Sequence, residues 1–119
     1  MSVTKGYLSA CMDKRFWLKV AQAFAEKTGM EMTDFWLETN AGGANTQNNP
    51  TGEDYAVAHG AQVFGWGAHG SVCGGQPGVS DDDSKAILLE KIQEKKLKFP
   101  GNKHYGIFLT EEKVEIWEA

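Results

Sequence analysis

The sequence predicts an α/β fold: a single domain over residues 1–119, with a mostly parallel central β-sheet flanked by helices. Three observations predict it. Strand-like segments take turns with segments of helical periodicity, in the order β-α-β-loop-α-β-α-β-β. Start and stop residues separate them, notably Gly29, Ser80 ahead of three aspartates, and Pro100-Gly101. The 119 residues suffice for one hydrophobic core but not for two.

The first strand, Gly6-Tyr7-Leu8-Ser9-Ala10-Cys11, ends at its cysteine. A helix follows from about Phe16 to Lys27, because Trp17, Val20, Ala21 and Phe24 recur at i, i+3, i+4 and i+7 and form one apolar face; Gly29 stops it. Met32 to Thr39 reads as a second strand, with Phe35 and Leu37 on one face and Asp34, Trp36 and Glu38 on the other. Asn40 to Gly52, rich in Asn, Gly and Thr, reads as loop. Thr51 would cap a short helix through Tyr55, Ala56 and Val57 that ends at Gly60. Ala61 to Ala68 is the third strand, weakened by two glycines. Ser80 with Asp81, Asp82 and Asp83 opens a helix, since acids in the first turn complement the helix dipole. Leu88, Leu89 and Ile92 supply its buried face, and Lys95, Lys96 and Lys98 suit its far end. After Pro100-Gly101, Tyr105 to Leu109 and Val114 to Trp117 are two strands joined by a turn at Glu111-Glu112.

Composition narrows the function classes. Twelve basic against 16 acidic residues give a net charge of −4 and no basic patch, which argues against nucleic acid as a partner. No apolar run approaches the roughly 20 residues of a membrane helix. The opening Met-Ser-Val-Thr-Lys-Gly lacks the apolar core of a signal peptide, so a cytoplasmic location is expected. With only Cys11 and Cys73, a disulfide scaffold is excluded and each thiol needs another role.

In a parallel sheet, ligands gather at the carboxyl ends of the strands. The first strand ends at Cys11, the second enters Asn40-Ala41-Gly42-Gly43, and the third leads to His69 and Cys73. Two thiolates and an imidazole suit Zn2+, and three protein ligands leave a fourth position open, as catalytic zinc requires. On spacing alone the same residues also read as two inert buried cysteines and a hydrogen-bonded histidine. Asp13 and Arg15, two and four residues after Cys11, can form a bidentate pair that orients the acid, or a plain surface salt bridge at a helix start.

These residues resemble a known family. Cys11-Met12-Asp13-Lys14-Arg15 resembles the Cys-x-Asp-x-Arg signature of the β-class carbonic anhydrases. Asp54 to Gly60 and then Gly67-Ala68-His69-Gly70-Ser71-Val72-Cys73-Gly74-Gly75 are similar to the second signature, where a helix and a strand lead into Gly-His-x-x-Cys-Gly. Asn40-Ala41-Gly42-Gly43 is similar to the Asn-Ala-Gly loop between them, and Tyr105–Leu109 with Val114–Trp117 to the terminal strand pair. The likeness covers nearly the whole chain in the right order. It differs in placing three residues instead of two between His69 and Cys73, with Gly70 expected to absorb the extra one in a loop. Thr39 stands where the family commonly has arginine, and Ala68 where it has glycine. The chain is also short for the family, whose N-terminal helical arm helps join two subunits.

The resemblance implies a zinc lyase that interconverts CO2 and bicarbonate through a zinc-bound hydroxide. Cys11, His69 and Cys73 would then hold zinc, Asp13 and Arg15 would be catalytic, and Gly42 and Gly43 would present N–H groups near the substrate pocket. Asp13 would either ligate zinc or be held off it by Arg15, and the chain would pair as a homodimer or higher homo-oligomer. The alternatives are hydrolysis of a CO2 analogue, carbonyl sulfide or carbon disulfide, and a non-catalytic zinc or small-ligand binding domain on the same fold. Among the other residues, His59 reads as structural or exposed, and His104, between Pro100-Gly101 and the final strands, admits a proton-shuttle role that nothing else in the sequence supports. Trp17 and Phe24 read as core, and Trp36 and Trp66 as lining a pocket or subunit interface.

Overall fold

The computed structural model describes residues 4–47 and 52–119; the capping position expected at Thr51 lies outside them. Among the described residues the elements follow one another as β1 (Gly6–Cys11), α1 (Trp17–Thr28), β2 (Phe35–Asn40), a 3-10 turn (Gly43–Thr46), α2 (Gly52–Ala58), β3 (Val63–His69), α3 (Asp81–Lys98), β4 (Lys103–Leu109) and β5 (Val114–Glu118). The strands form one sheet in the order β2-β1-β3-β4-β5. The first four run parallel, and β5 returns antiparallel to β4. This is the mostly parallel sheet expected from the alternation of elements.

The sheet is covered on both faces, which is why its middle strands are buried along most of their length. Leu8, Ala10, Phe35, Tyr105, Ile107 and Leu109 pack with Phe16, Val20, Ala21 and Phe24 around α1. On the opposite face Tyr7, Phe64, Trp66, Ala68 and Phe108 pack with Ala56 of α2 and with Leu88 and Ile92 of α3. The glycines of β3 serve this packing instead of weakening the strand. A Cβ on Gly65 would stand 2.7 Å from the Phe24 ring, and one on Gly67 2.9 Å from Val20. Their bareness is what lets α1 lie close on the sheet.

Several expectations are corrected by packing. The buried stripe of α1 is Val20, Ala21 and Phe24, extended by Phe16 just before the helix, and Trp17 is 37% exposed. Phe16 takes the inner position because its ring packs on that of His69, 4.5 Å between centroids. In α3, Leu88 and Ile92 are buried but Leu89 is exposed; the stripe continues through Lys95 instead. Lys95 is buried because its ammonium meets Glu53 of α2 at 2.7 Å, and Glu53 is fully buried and also paired to Lys98 at 2.8 Å. The second strand begins at Phe35, not Met32. A turn closed by the Asp34 N–H on the Glu31 carbonyl, with the Glu31 N–H on the Asp34 carboxylate, holds residues 31–34 out of the sheet. Leu37 is exposed on this edge strand. The stretch read as loop contains the 3-10 turn, whose Gly43, Ala44 and Asn45 are buried. The start of α3 is as expected, with the Ser80 hydroxyl accepting from the Asp83 N–H at 3.1 Å. No described helix is long and apolar enough to cross a membrane.

Candidate metal centre

β1 and β3 are adjacent and parallel, so their carboxyl ends lie together. Cys11 is the last residue of β1, His69 the last of β3, and Cys73 follows in the segment leading to α3. The two sulfurs are 3.8 Å apart, and the ligand atoms of all three residues lie within 4.8 Å of one another. Each residue is buried.

The hydrogen bonds specify what the histidine offers. His69 Nδ1 lies 2.7 Å from the Gly70 carbonyl, an acceptor only, so Nδ1 carries the proton and donates. The lone pair is thereby assigned to Nε2, which is buried without a hydrogen-bond partner. An orphaned imidazole nitrogen beside two thiols, its other nitrogen fixed by a carbonyl, could serve a metal ion as a ligand. The sulfur separation fits as well: two sulfurs bound tetrahedrally at about 2.3 Å from zinc stand about 3.8 Å apart.

Electrostatics favour a cation here. Burial pushes the Cys11 thiol up, but the His69 ring and the Gly42 and Asp13 N–H groups outweigh it and bring the thiol down to about 7. Burial raises the Cys73 thiol, and the neighbouring Cys11 charge raises it further against the Gly75 N–H. Burial opposes charge on His69 too, yet Cys11, the Gly70 carbonyl and the Asp13 carboxylate together raise its affinity for a proton. Two thiolates side by side repel, and an ion of charge +2 removes that conflict.

Asp13 and Arg15 are a bidentate pair. The guanidinium donates from Nη2 to Oδ2 at 2.8 Å and from Nε to Oδ1 at 3.1 Å, and the Arg15 backbone N–H reaches Oδ1 at 2.8 Å. Arg15 holds the Asp13 carboxyl down at about 2, so it is an anion at neutral pH. Its Oδ2 stands 3.7 Å from the free Nε2 of His69, at the edge of the ligand set.

Three residues separate His69 from Cys73, and the turn among them is not made where expected. Gly70 is not the left-handed residue; Ser71 and Val72 are, at φ 54° and 62°. A β-branched residue seldom adopts this conformation, and three contacts hold the segment in it. Arg15 donates to the Ser71 carbonyl at 3.3 Å and to the Val72 carbonyl at 3.0 Å, while the Asp81 carboxylate accepts from the Ser71 N–H at 2.8 Å. Glu111, in the turn between β4 and β5, adds a 3.2 Å contact to Arg15 and donates its N–H to the Ser71 hydroxyl at 3.1 Å. Asp81 reads from sequence as a helix start alone, and nothing in the sequence ties Glu111 to this segment.

Gly42 and Gly43 both sit at positive φ, 99° and 61°. The Gly42 N–H points at the Cys11 sulfur, 3.3 Å away. A Cβ on Gly43 would collide with the Gly67 carbonyl and stand 2.7 Å from the Cys11 N. The loop therefore needs glycine to close against the ends of β1 and β3. A polar cavity of about 400 Å³ borders this region through Ser71, Asp81 and Glu111, and none of the three candidate ligands lines it.

The remaining residues singled out from sequence lie away from the centre. His59 is exposed and stacks on Tyr55 at 4.1 Å. His104 is buried: Trp66 Nε1 donates to its Nδ1 at 3.0 Å, and its Nε2 donates to the Phe99 carbonyl at 3.0 Å. Trp66 is core, not a pocket or interface residue, while Trp36 packs partly buried against Tyr55. Cys11, His69 and Cys73 thus form a buried group that could hold a metal ion, with Asp13 and Arg15 at its rim. Comparison with protein-family models, curated proteins and solved structures returned no match.

Proposed function

We propose that the chain is a zinc enzyme of β-carbonic-anhydrase type that interconverts CO2 and bicarbonate. The observation that carries this reading is the free, buried Nε2 of His69 converging with the sulfurs of Cys11 and Cys73. Zinc held by these three residues would supply Lewis-acid activation of a water molecule. This chain's part is to orient and to handle charge. Asp13, ionised and fixed by Arg15, would offer an acceptor oxygen to orient such a water. The Gly42 N–H steadies the Cys11 thiolate as a ligand.

Stopped-flow measurement of CO2 hydration by the zinc-loaded protein tests the reading. The expected result is a rate well above buffer that collapses in Cys11→Ser and falls at least a hundredfold in Asp13→Asn. A zinc-loaded protein with no rate above buffer would overturn it. One observation favours a second reading, a non-catalytic zinc domain: the three ligand residues are 5%, 1% and 4% exposed, and Asp13 is near enough to complete a closed set. Tight zinc binding without hydration of CO2 or hydrolysis of carbonyl sulfide would select it.

A further inference from the structure

We propose that Cys11 and Cys73 form an oxidation site at which a hydroperoxide converts the pair into an intramolecular disulfide, expelling the bound metal. The sulfurs are already 3.8 Å apart, so about 1.8 Å of closure brings them to bonding distance. They are the chain's only cysteines, so neither has a competing partner within the molecule.

The two sides of the pair differ in freedom to move. Cys11 ends a strand in register with Asn40 of β2, and the Met12 N–H that follows is bonded to the Asn40 carbonyl at 2.9 Å. Cys73 sits between β3 and α3 in a segment with no helix or strand. The two residues before it are left-handed without being glycine, and a side chain on Gly74 after it would meet nothing within 4 Å, although Gly75 beyond it is packed against Ala41 and Gly42. Rotation about Ser71 and Val72 toward ordinary dihedrals relieves strain but gives up the Arg15 and Asp81 contacts that hold them, and with no strand register to break on this side, it is Cys73 that moves.

The chemistry balances in two steps. One thiolate attacks the terminal peroxide oxygen, the O–O bond breaks, and the products are a sulfenic acid and an alkoxide (hydroxide when the oxidant is hydrogen peroxide) that takes a proton to become an alcohol or water. The second thiolate then attacks that sulfur. The S–S bond forms, the S–O bond breaks, and hydroxide leaves and is protonated. The two sulfurs lose two electrons in all, and the peroxide gains them. A disulfide carries no charge with which to hold a cation, so His69 is left as the sole remaining ligand of the three. Only the expelled ion rests on the zinc reading above; the crosslink itself does not.

The test treats reduced, zinc-loaded protein with hydrogen peroxide and follows intact mass, thiol count and free zinc. The expected result is loss of two hydrogens per chain and release of zinc. A non-reducing tryptic digest should join the peptide of residues 6–14 to that of residues 28–85. Dithiothreitol should restore both thiols and zinc uptake, and Cys11→Ser should give no crosslink. Oxygen atoms added to single cysteines, disulfide-linked dimers, or thiols that survive the treatment would each overturn the proposal. The metal-free protein is treated in parallel. Failure of the reduced protein to take up zinc removes the zinc reading, while the mass of the peroxide-treated metal-free chain still decides for or against the crosslink.

Discussion

The Arg15 guanidinium lies 3.0 Å from the carbonyl oxygen of Val72, a residue 57 positions away in a left-handed conformation. The same side chain grips Asp13 with its other edge. Arg15 therefore joins the acid beside the centre to the segment that aims Cys73, and Glu111 holds the guanidinium from a third direction. A planar fork can make these contacts together, and an ammonium group cannot.

Arg15→Lys keeps the charge and loses the fork. Zinc affinity should fall about ten- to a hundredfold, as it does when a group that orients a metal ligand is removed. Competition with a chromophoric chelator measures it. An affinity equal to wild type would show that Cys73 is placed without Arg15. Glu111→Gln removes only an exposed contact and should change the affinity much less.

Glu53 and Lys95 form an ion pair in the interior between α2 and α3, with Lys98 completing it from the surface. Glu53→Gln leaves the Lys95 ammonium buried without a counter-charge and should cost about 3–5 kcal/mol in urea unfolding. Glu53→Leu combined with Lys95→Met should recover most of that loss, because the desolvation of both charges goes with the pair. A Glu53→Gln protein as stable as wild type would mean that water reaches Lys95.

His104 gives a pH signature. Burial, with Lys96 adding to it, pulls the ring's pKa below its ordinary value, against the Phe99 carbonyl. Trp66 donates to Nδ1, so protonation there would set donor against donor. The unfolded chain binds this proton more readily than the native one. The contribution is therefore complete above the unfolded value near 6.5 and is lost as pH falls through 6.5 toward the folded value. His69 acts in the opposite sense, because its pKa is raised. The difference between wild type and His104→Gln isolates the His104 part. Between pH 7 and 5 wild type should lose stability faster, by up to about 1.4 kcal/mol per pH unit. Parallel urea midpoints across that range would count against this account.

The features legible in sequence are those set by local rules. The first strand ends at Cys11 as its pattern indicates, and Ser80 caps α3 because a hydroxyl ahead of aspartates has little else to do. The element order also suffices to bring Cys11, His69 and Cys73 to one edge. What escapes is set by distant partners. The choice of Phe16 over Trp17 depends on the His69 ring, and the burial of Lys95 on a glutamate 42 positions away. The left-handed pair at Ser71 and Val72 is held by an arginine, an aspartate and the β4–β5 turn, none of them adjacent in sequence. β3 reads as a weak strand until Phe24 and Val20 are seen to fill the space its glycines leave.

The position of β1 between β2 and β3 also bears on how the centre is assembled. A chain growing from its N-terminus makes Cys11 early, yet Cys11 meets neither His69 nor Cys73 until β3 has docked beside β1. Sixty-two positions separate the two cysteines, so no short peptide of this chain can gather both thiols the way a compact zinc finger does. Ion capture by this group would then be a late event, contingent on non-local strand pairing and slowed with it. A bound ion would then report a finished sheet instead of nucleating one.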